Sequence, residues 1–201
     1  KIASPLFGES VEDLKPIIPS GSSDSEALDS VFELLCRSDR PAPMVKAMTI
    51  PASIALNKAM PPAHEALFSY CNAVLEPWDG PAAICATDGR WVVAGMDRNG
   101  LRPMRFTRTS DGLLVVGSEA GMVEVSEEMV AEKGRVGPGE MIGIDFVEGK
   151  FYHDTPLKDL LGARQDFSSW PSRTEVLDDI VGAADSKGSM FASEDLRRRQ
   201  H

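Results

Sequence analysis

The sequence of 201 residues has few of the residues from which metal sites and covalent cross-links are built. It contains three cysteines, Cys36, Cys71 and Cys85, and three histidines. The odd number and wide spacing of the cysteines exclude a disulfide framework and a Cys-x-x-Cys metal knuckle. No histidine has a partner at helical metal-site spacing. We therefore expect reduced, mostly buried cysteines and no metal site in this chain.

Positive charge and long apolar runs are also scarce. The sequence has 21 Lys and Arg against 31 Asp and Glu, a net charge of -10, whereas a nucleic-acid surface needs a clustered positive face. No apolar run approaches the roughly 18–20 residues of a membrane-spanning helix, and the first residues lack the apolar core of a secretory signal. These absences predict a cytoplasmic chain with neither a nucleic-acid nor a membrane partner.

Common nucleotide-binding and hydrolase motifs are missing as well. The glycine-rich stretches 117–122 and 136–141 match neither a dinucleotide-binding nor a phosphate-binding loop. No serine lies in a G-x-S-x-G context. We interpret both glycine-rich stretches as structural turns.

Two helices are predicted in the first half of a chain that is long enough for one compact core. Ser23 and Glu26 have capping-box spacing, and the apolar residues that follow predict a helix to about residue 37. Pro41, Pro43 and Pro51 break up the next stretch. A second helix is expected from residue 61 or 62 to 76, with a buried stripe of Ala63, Leu67, Tyr70, Cys71 and Val74.

Short apolar runs separated by turn dipeptides follow from residue 81. They predict strands at 82–87, 91–96, 104–109, 113–117, 141–146 and 151–153. Asp88-Gly89, Asn99-Gly100, Asp111-Gly112 and Glu148-Gly149 are typical of hairpins. Helices followed by a meander of antiparallel strands indicate an α+β domain. Beyond residue 155 the pattern weakens, which indicates a linker.

Two groups of polar residues are candidates for function, and each has a structural alternative. Asp24 at the start of the first helix is expected either to cap backbone N–H groups or to bind an ammonium group. The turn at residues 97–103, DRNGLRP, is expected either to contribute to a functional site or to be a plain turn. In the plain turn, Asn-Gly takes positive backbone angles and Asp and Arg pair locally.

Five blocks stand in a fixed order along the chain: SDSEALDSVFELL, EPWDGPAA, AGMDRNGLRP, VGSEAGMV and RVGPGEMI. Together they resemble the class II glutamine amidotransferase domain of glutamate synthases over about residues 16–155. The closing FASEDLRRRQ is similar to the start of the central domain of those enzymes. The resemblance implies that residues 1–155 are the C-terminal half of such a domain and that 156–201 are a linker toward the central domain.

The resemblance implies an N-terminal-nucleophile hydrolase fold, an αββα sandwich with antiparallel sheets that is incomplete in this chain. In this family a first-residue cysteine attacks the glutamine amide, with its own α-amino group as the base. An Asn-Gly pair stabilises the oxyanion, and an arginine holds the substrate carboxylate. Residue 1 is Lys1, and no cysteine here has a free amino group beside it. We therefore expect no catalytic residue in this chain.

One substrate-binding residue is implied by the resemblance, because Asp24 matches the acid that receives the glutamine α-amino group. A second matching block is implied to support the pocket structurally: Asp97, Arg98, Asn99, Gly100 and Arg102. The implied partners are glutamine, the missing N-terminal half and the synthase domains. FMN and an iron-sulfur cluster are implied for the complete enzyme, and no cofactor for this chain.

The implied function is release of ammonia from glutamine for the reductive conversion of 2-oxoglutarate to glutamate. NADPH and ferredoxin remain open as electron donors. The alternative is a non-catalytic half-domain that acts as a binding or assembly module. If the domain is incomplete, we expect unpaired groups at a sheet edge and an exposed apolar face that Trp91, Val93, Leu114 and Val116 would otherwise help to bury. A well-protected, monomeric chain would favour the binding module.

Overall fold

The computed structural model describes residues 13–170 of the chain. Within them the helices are α1 (Asp24–Arg37), α2 (Ala42–Thr49), α3 (Pro62–Val74) and α4 (Asp154–Gly162). The strands are β1 (Ala83–Thr87), β2 (Trp91–Met96), β3 (Arg105–Thr109), β4 (Leu114–Gly117), β5 (Val130–Arg135), β6 (Met141–Asp145) and β7 (Lys150–Tyr152). No helix in this part of the chain is long and apolar enough to cross a membrane.

Helix α1 begins with the predicted capping box. The backbone N–H of Glu26 donates to the Ser23 hydroxyl at 3.3 Å, and the Ser23 N–H donates to the Glu26 carboxylate at 2.9 Å. These two bonds satisfy donors that a helix start leaves without an intrahelical partner. The predicted helix to residue 37 is confirmed.

Replacing Ser23 with alanine is expected to lower the free energy of unfolding by about 1 kcal/mol, because the Glu26 N–H loses its acceptor. Ser23→Thr keeps a hydroxyl at the cap and is the matched control, with stability close to that of the unmodified chain. Urea denaturation of the three proteins measures the effect. Equal loss in both variants would show that the hydroxyl is not what stabilises this helix start.

Helix α2 lies where prolines were expected to interrupt the chain, so that expectation is wrong. Pro41 precedes the helix and Pro43 lies in its first turn, where a missing N–H removes no intrahelical hydrogen bond. All eight residues of α2 are buried, which makes it the central helix of the fold. Its apolar residues face neighbours on all sides, so no amphipathic stripe marked it in the sequence.

Helix α3 is found close to its predicted position, but its buried face is rotated. Leu67 and Cys71 are buried as expected, whereas Ala63 and Val74 are exposed. His64 and Phe68 take their places in the interior. The cause is α4, which packs on this side of α3.

The strands form two sheets with antiparallel pairing, which confirms the antiparallel sheets and helices that were expected, but they do not follow one another as one meander. The four-stranded sheet has the order β1-β2-β6-β7, and the three-stranded sheet has the order β4-β3-β5. Three of the four turn dipeptides join paired neighbours, but Asn99-Gly100 connects β2 to β3 in the other sheet. Strand β5 was not predicted at all. Its sequence VAEKGR alternates in burial but has few apolar residues.

The two faces of the four-stranded sheet pack against different layers. Trp91 and Val93 join the core under the helices. Ala94 and Ile142, on the other face, join a second core with Phe106 of the three-stranded sheet. The expected exposure of Trp91 and Val93 is therefore wrong, because α2 and its neighbours already cover them; Leu114 and Val116 are half-buried.

The predicted linker begins inside the folded part of the chain. Helix α4 and the short 3-10 helix Phe167–Ser169 pack on α3, and Leu157, Leu161 and Phe167 are all buried in the helical core. The boundary at residue 155 is thus corrected: residues 156–170 belong to the same core as α3. The remainder of the predicted linker, 171–201, lies outside the described residues.

Candidate functional site

The chain leaves the four-stranded sheet after β2 and returns to it before β6 through two adjacent segments, 97–104 and 136–140, which we call the neck. The Gly139 N–H donates to the Asp97 carbonyl at 2.7 Å, and the Val136 N–H donates to the Met104 carbonyl at 2.9 Å. The three-stranded sheet lies entirely between these two segments in sequence. The neck therefore contains DRNGLRP and VGPGE, the central parts of two of the motif blocks.

Asp97 organises the first half of the neck. Its carboxylate is 3% exposed and accepts three backbone N–H groups, from Ala82 at 3.1 Å, Asn99 at 2.9 Å and Gly100 at 3.2 Å. Asp97 thus ties the turn to the residue that precedes β1. Carboxylates that accept backbone N–H groups in this way are strong local organisers of loops.

The other four residues of this block are placed differently. Gly100 has φ +61°, and a Cβ there would lie 2.7 Å from the Pro138 ring, so both backbone conformation and packing favour glycine. Arg98 pairs with Asp79 at 2.8 Å, so the expected local pair with Asp97 is wrong. Asn99 and Arg102 are exposed, and Asn99 does not take the positive angle that was expected.

Asp24 is exposed at the first position of α1, and the cap of this helix is supplied by Ser23. Of the two alternatives for Asp24, capping is therefore not what the structure shows. Within residues 13–170 its carboxylate accepts no hydrogen bond from the protein. It is free to bind another group.

The directions of helices α1 and α2 show at which end of the four-stranded sheet Asp24 lies. The first N–H of α2, at Ala42, donates to Asp88 at 2.7 Å, so α2 begins at the end of the sheet opposite the neck. Leu28 and Cys36 of α1 line one cleft with β1, and Arg37 at the end of α1 lines it together with Asp88. The helix, 14 residues or about 21 Å long, therefore ends at the Asp88 end of the sheet. The start of α1, with Asp24, therefore points toward the neck end of the sheet.

The three cysteines occupy separate elements, and all have the character of ordinary thiols. Burial raises the pKa of Cys71 to about 12. Burial, with the Asp88 and Glu33 carboxylates, raises that of Cys36 to about 11. Desolvation also raises the pKa of Cys85, although this residue is exposed on edge strand β1 and not buried as expected. Because the thiolate is the nucleophilic form, none is activated at neutral pH.

Two buried lysines were missed by sequence reasoning, Lys46 on α2 and Lys158 on α4, which are 1% and 6% exposed. Burial, followed by repulsion from Lys158, lowers the pKa of Lys46 to about 7, and the carboxylates of Asp154 and Asp97 oppose this shift. A lysine in a helix is usually read as part of the solvent-facing side. Nothing in the local sequence pattern indicated that either lysine is buried.

Metal ligation finds no support in the part of the chain that the structure describes. There, no group of three or more His, Cys, Asp or Glu is arranged to hold an ion. His64, which is buried, contacts Asp159 through Nε2 at 2.7 Å and joins α3 to α4. Its role in the structure is to connect two helices.

A family model described as glutamine amidotransferases class-II matches residues 1–170. The chain belongs to this family. The match continues past residue 155 to the end of the described region, in agreement with the packing of α4 on α3. It also covers both Asp24 and the neck of the amidotransferase.

Individual relatives of this amidotransferase are glutamate synthases. The chain is 52% identical over its whole length to the glutamate synthase [NADPH] large chain of Azospirillum brasilense, of which it covers 13%. It is 41% identical to the glutamate synthase [NADH] of Schizosaccharomyces pombe over 83% of the chain and 8% of that relative. It is 40% identical to the ferredoxin-dependent glutamate synthase 2 of Synechocystis over 80% of the chain and 10% of the relative.

The amidotransferase thus spans only a small fraction of the length of these relatives. Their names include NADPH, NADH and ferredoxin as electron donors. Relatives with each of these three names match this region, at 52%, 41% and 40% identity.

Proposed function

We propose that this chain is part of the glutamine amidotransferase domain of a glutamate synthase large chain, which releases ammonia from glutamine for the reductive conversion of 2-oxoglutarate to glutamate. In this proposal Asp24 receives the α-amino group of glutamine. The observation that carries it is the exposed Asp24 carboxylate, which the helix cap leaves unused. A carboxylate binds an ammonium group through charge-assisted hydrogen bonds.

The nucleophile is proposed to come from outside residues 1–201. Attack on an amide needs an activated thiolate, and burial raises the pKa values of Cys36, Cys71 and Cys85 instead. Each of these cysteines lies within a helix or a strand, so its own nitrogen is part of a peptide bond and cannot act as a free α-amino group. The chain alone is therefore proposed to bind part of glutamine without hydrolysing it.

The neck is proposed to support the glutamine pocket at the sheet end toward which Asp24 points. Asp97 and Gly100 fix the turn through hydrogen bonds and close packing. Arg98, Asn99 and Arg102 are exposed and are proposed to contact the rest of the domain. This arrangement supports an N-terminal-nucleophile hydrolase sandwich whose second helical layer is formed by residues other than 13–170.

FMN and an iron-sulfur cluster are proposed to bind elsewhere in the complete enzyme. The residues described here do not fit a cluster, because Cys36, Cys71 and Cys85 lie on α1, α3 and β1 and no metal-binding group occurs within residues 13–170. No step of the amide chemistry requires either group.

Asp24→Asn in the complete glutamate synthase tests the proposal. Loss of one side of a desolvated charge pair is expected to cost about 2–4 kcal/mol of transition-state stabilisation. This lowers kcat/KM for glutamine roughly 30- to 1000-fold. Ammonia-dependent synthesis should be unchanged, because ammonia bypasses this pocket. Steady-state rates with glutamine and with ammonia measure both reactions.

Asp29→Asn is the matched control, an exposed carboxylate one turn further along α1, and should leave both rates unchanged. A parallel loss of both rates in Asp24→Asn, together with a lower melting temperature, would show that Asp24 stabilises the fold and does not bind glutamine. The alternative of a non-catalytic binding module predicts no glutamine-dependent rate in any variant. Membership of the amidotransferase family does not favour that alternative.

A further inference from the structure

Lys46 and Lys158 are ionisable residues of the interior to which the proposed reaction assigns no role. The Lys46 amine is surrounded by protein and donates to two backbone carbonyls, Ile50 O at the end of α2 and Met96 O at the end of β2, both at 2.9 Å. Gly95 makes room for it, since a Cβ there would lie 2.6 Å from Lys46 Cε. The site for this side chain is built into both elements.

Lys158 makes the corresponding contact on the other half of the neck. Its amine donates to Gly139 O at 3.1 Å and to the Asp154 carboxylate at 2.8 Å, and it lies 5.6 Å from the centre of the Phe68 ring. The Asp154 carboxylate in turn accepts the N–H of Met141, the first residue of β6, at 2.9 Å. Both lysines therefore bind backbone where the neck joins the four-stranded sheet.

Their placement is costly for the fold. Removing an ammonium group from water costs several kcal/mol that the new contacts must offset, and the usual solution at an interior position is an apolar side chain. Met96 directly precedes Asp97, and the Gly139 N–H donates to the Asp97 carbonyl. The two amines therefore act on the two backbone segments that meet at Asp97.

We propose that Lys46 and Lys158 are positioning residues for the glutamine site, a lysine clamp that holds both halves of the neck against the helices and so fixes the turn of Asp97 and Gly100. This inference rests on the proposed function, in which the neck supports the glutamine pocket. In this proposal the two amines act through backbone carbonyls of the neck and of α2 and through Asp154, and neither is a glutamine-binding group. Its loss should therefore displace the pocket without removing a binding group.

Lys46→Met in the complete enzyme tests the clamp, because methionine fills most of the space without donating hydrogen bonds. We expect kcat/KM for glutamine to fall by roughly 10- to 100-fold, the usual consequence of a small misplacement in a preorganised site. The ammonia-dependent rate should stay within about two-fold of that of the unmodified enzyme, since the displacement is confined to the glutamine pocket. Lys158→Met should act in the same direction and carries the test if Lys46→Met does not fold.

Lys58→Met is the matched control, because Lys58 is exposed and takes part in none of the hydrogen bonds of the clamp; both of its rates should equal those of the unmodified enzyme. Equal loss of the glutamine and ammonia rates, in step with a lower melting temperature, would overturn the clamp in favour of general stabilisation. Unchanged glutamine kinetics in folded Lys46→Met and Lys158→Met would also overturn it. Failure of the proposed function is distinguishable, because Asp24→Asn would then have no effect on glutamine use.

Discussion

Replacing Asp97 with alanine should lower the free energy of unfolding of this chain by roughly 2–6 kcal/mol, because each buried donor left without a partner costs about 1–3 kcal/mol. Two donors lose their acceptor, the N–H groups of Ala82 and Asn99, whereas the Gly100 N–H keeps the Asp97 backbone carbonyl at 3.2 Å. Asp97 itself is only 3% exposed, and so is largely shielded from water. Urea denaturation followed by circular dichroism measures the change.

Asp79→Ala is the matched control for this experiment. Asp79 also forms an ion pair in this region, with Arg98 at 2.8 Å, but its side chain is 86% exposed. Exposed pairs of this kind contribute about 0–1 kcal/mol. If Asp97→Ala destabilised the chain no more than Asp79→Ala, the hydrogen bonds of Asp97 would not be what holds the neck.

The second large effect is expected in the pH dependence of stability. The pKa of Lys46 is about 7 in the folded chain against an ordinary value of 10.5, so between these two pH values the unfolded chain binds a proton that the folded chain does not. Stability therefore rises with pH across this window. The total contribution is on the order of 5 kcal/mol.

Lys46→Met removes this contribution, so its unfolding free energy should rise less steeply than that of the unmodified chain as the pH increases from 7 toward 10. Below pH 7 the two curves should run parallel, because Lys46 is then protonated in both folded and unfolded states. Lys58→Met, which changes an exposed lysine, should follow the unmodified chain throughout. Parallel curves for Lys46→Met and the unmodified chain above pH 7 would contradict burial of a neutral amine.

The sequence was sufficient for those parts of the fold that depend on local chemistry. The capping box of Ser23 and Glu26 predicts the start of α1, and Asp88-Gly89 and Asp111-Gly112 predict hairpins, because each signal acts over a few residues. Asn99-Gly100 has the same local chemistry, yet it joins strands of different sheets. Sheet membership is decided by which apolar faces pack together, and a turn dipeptide carries no information about that.

Helix α2 and strand β5 are two elements that local sequence patterns did not predict. In α2, prolines at the first turn and a uniformly buried surface removed the usual helical pattern. In β5, glycine and charged residues removed the apolar pattern of a strand. Both elements are stabilised by tertiary neighbours more than by their own propensities, which is why local reasoning missed them.

The candidate site was predictable only in part. The position of Asp24 was marked by its sequence block, but spacing alone did not separate it from Ser23 as the helix cap, because both residue types cap helices well. Lys46 and Lys158 left no signal, since their burial follows from the way α2 and α4 cover the neck. Their role could be inferred only from contacts between residues distant in sequence.

The neck also has a consequence for the order in which the chain folds. Strand β6 pairs with β2, and Met141 lies opposite Gly95, although the three-stranded sheet lies between them in sequence. Closing so long a loop in an unfolded chain is entropically unfavourable. If the three-stranded sheet forms first, the bond between Met104 and Val136 already brings its two ends together, and the loop that remains is only the neck. Shortening the loop in this way reduces the closure cost by about 1 kcal/mol. We therefore expect the three-stranded sheet to act as a folding nucleus for its larger neighbour, so that the rate of acquiring the helical core depends on strands that never touch it.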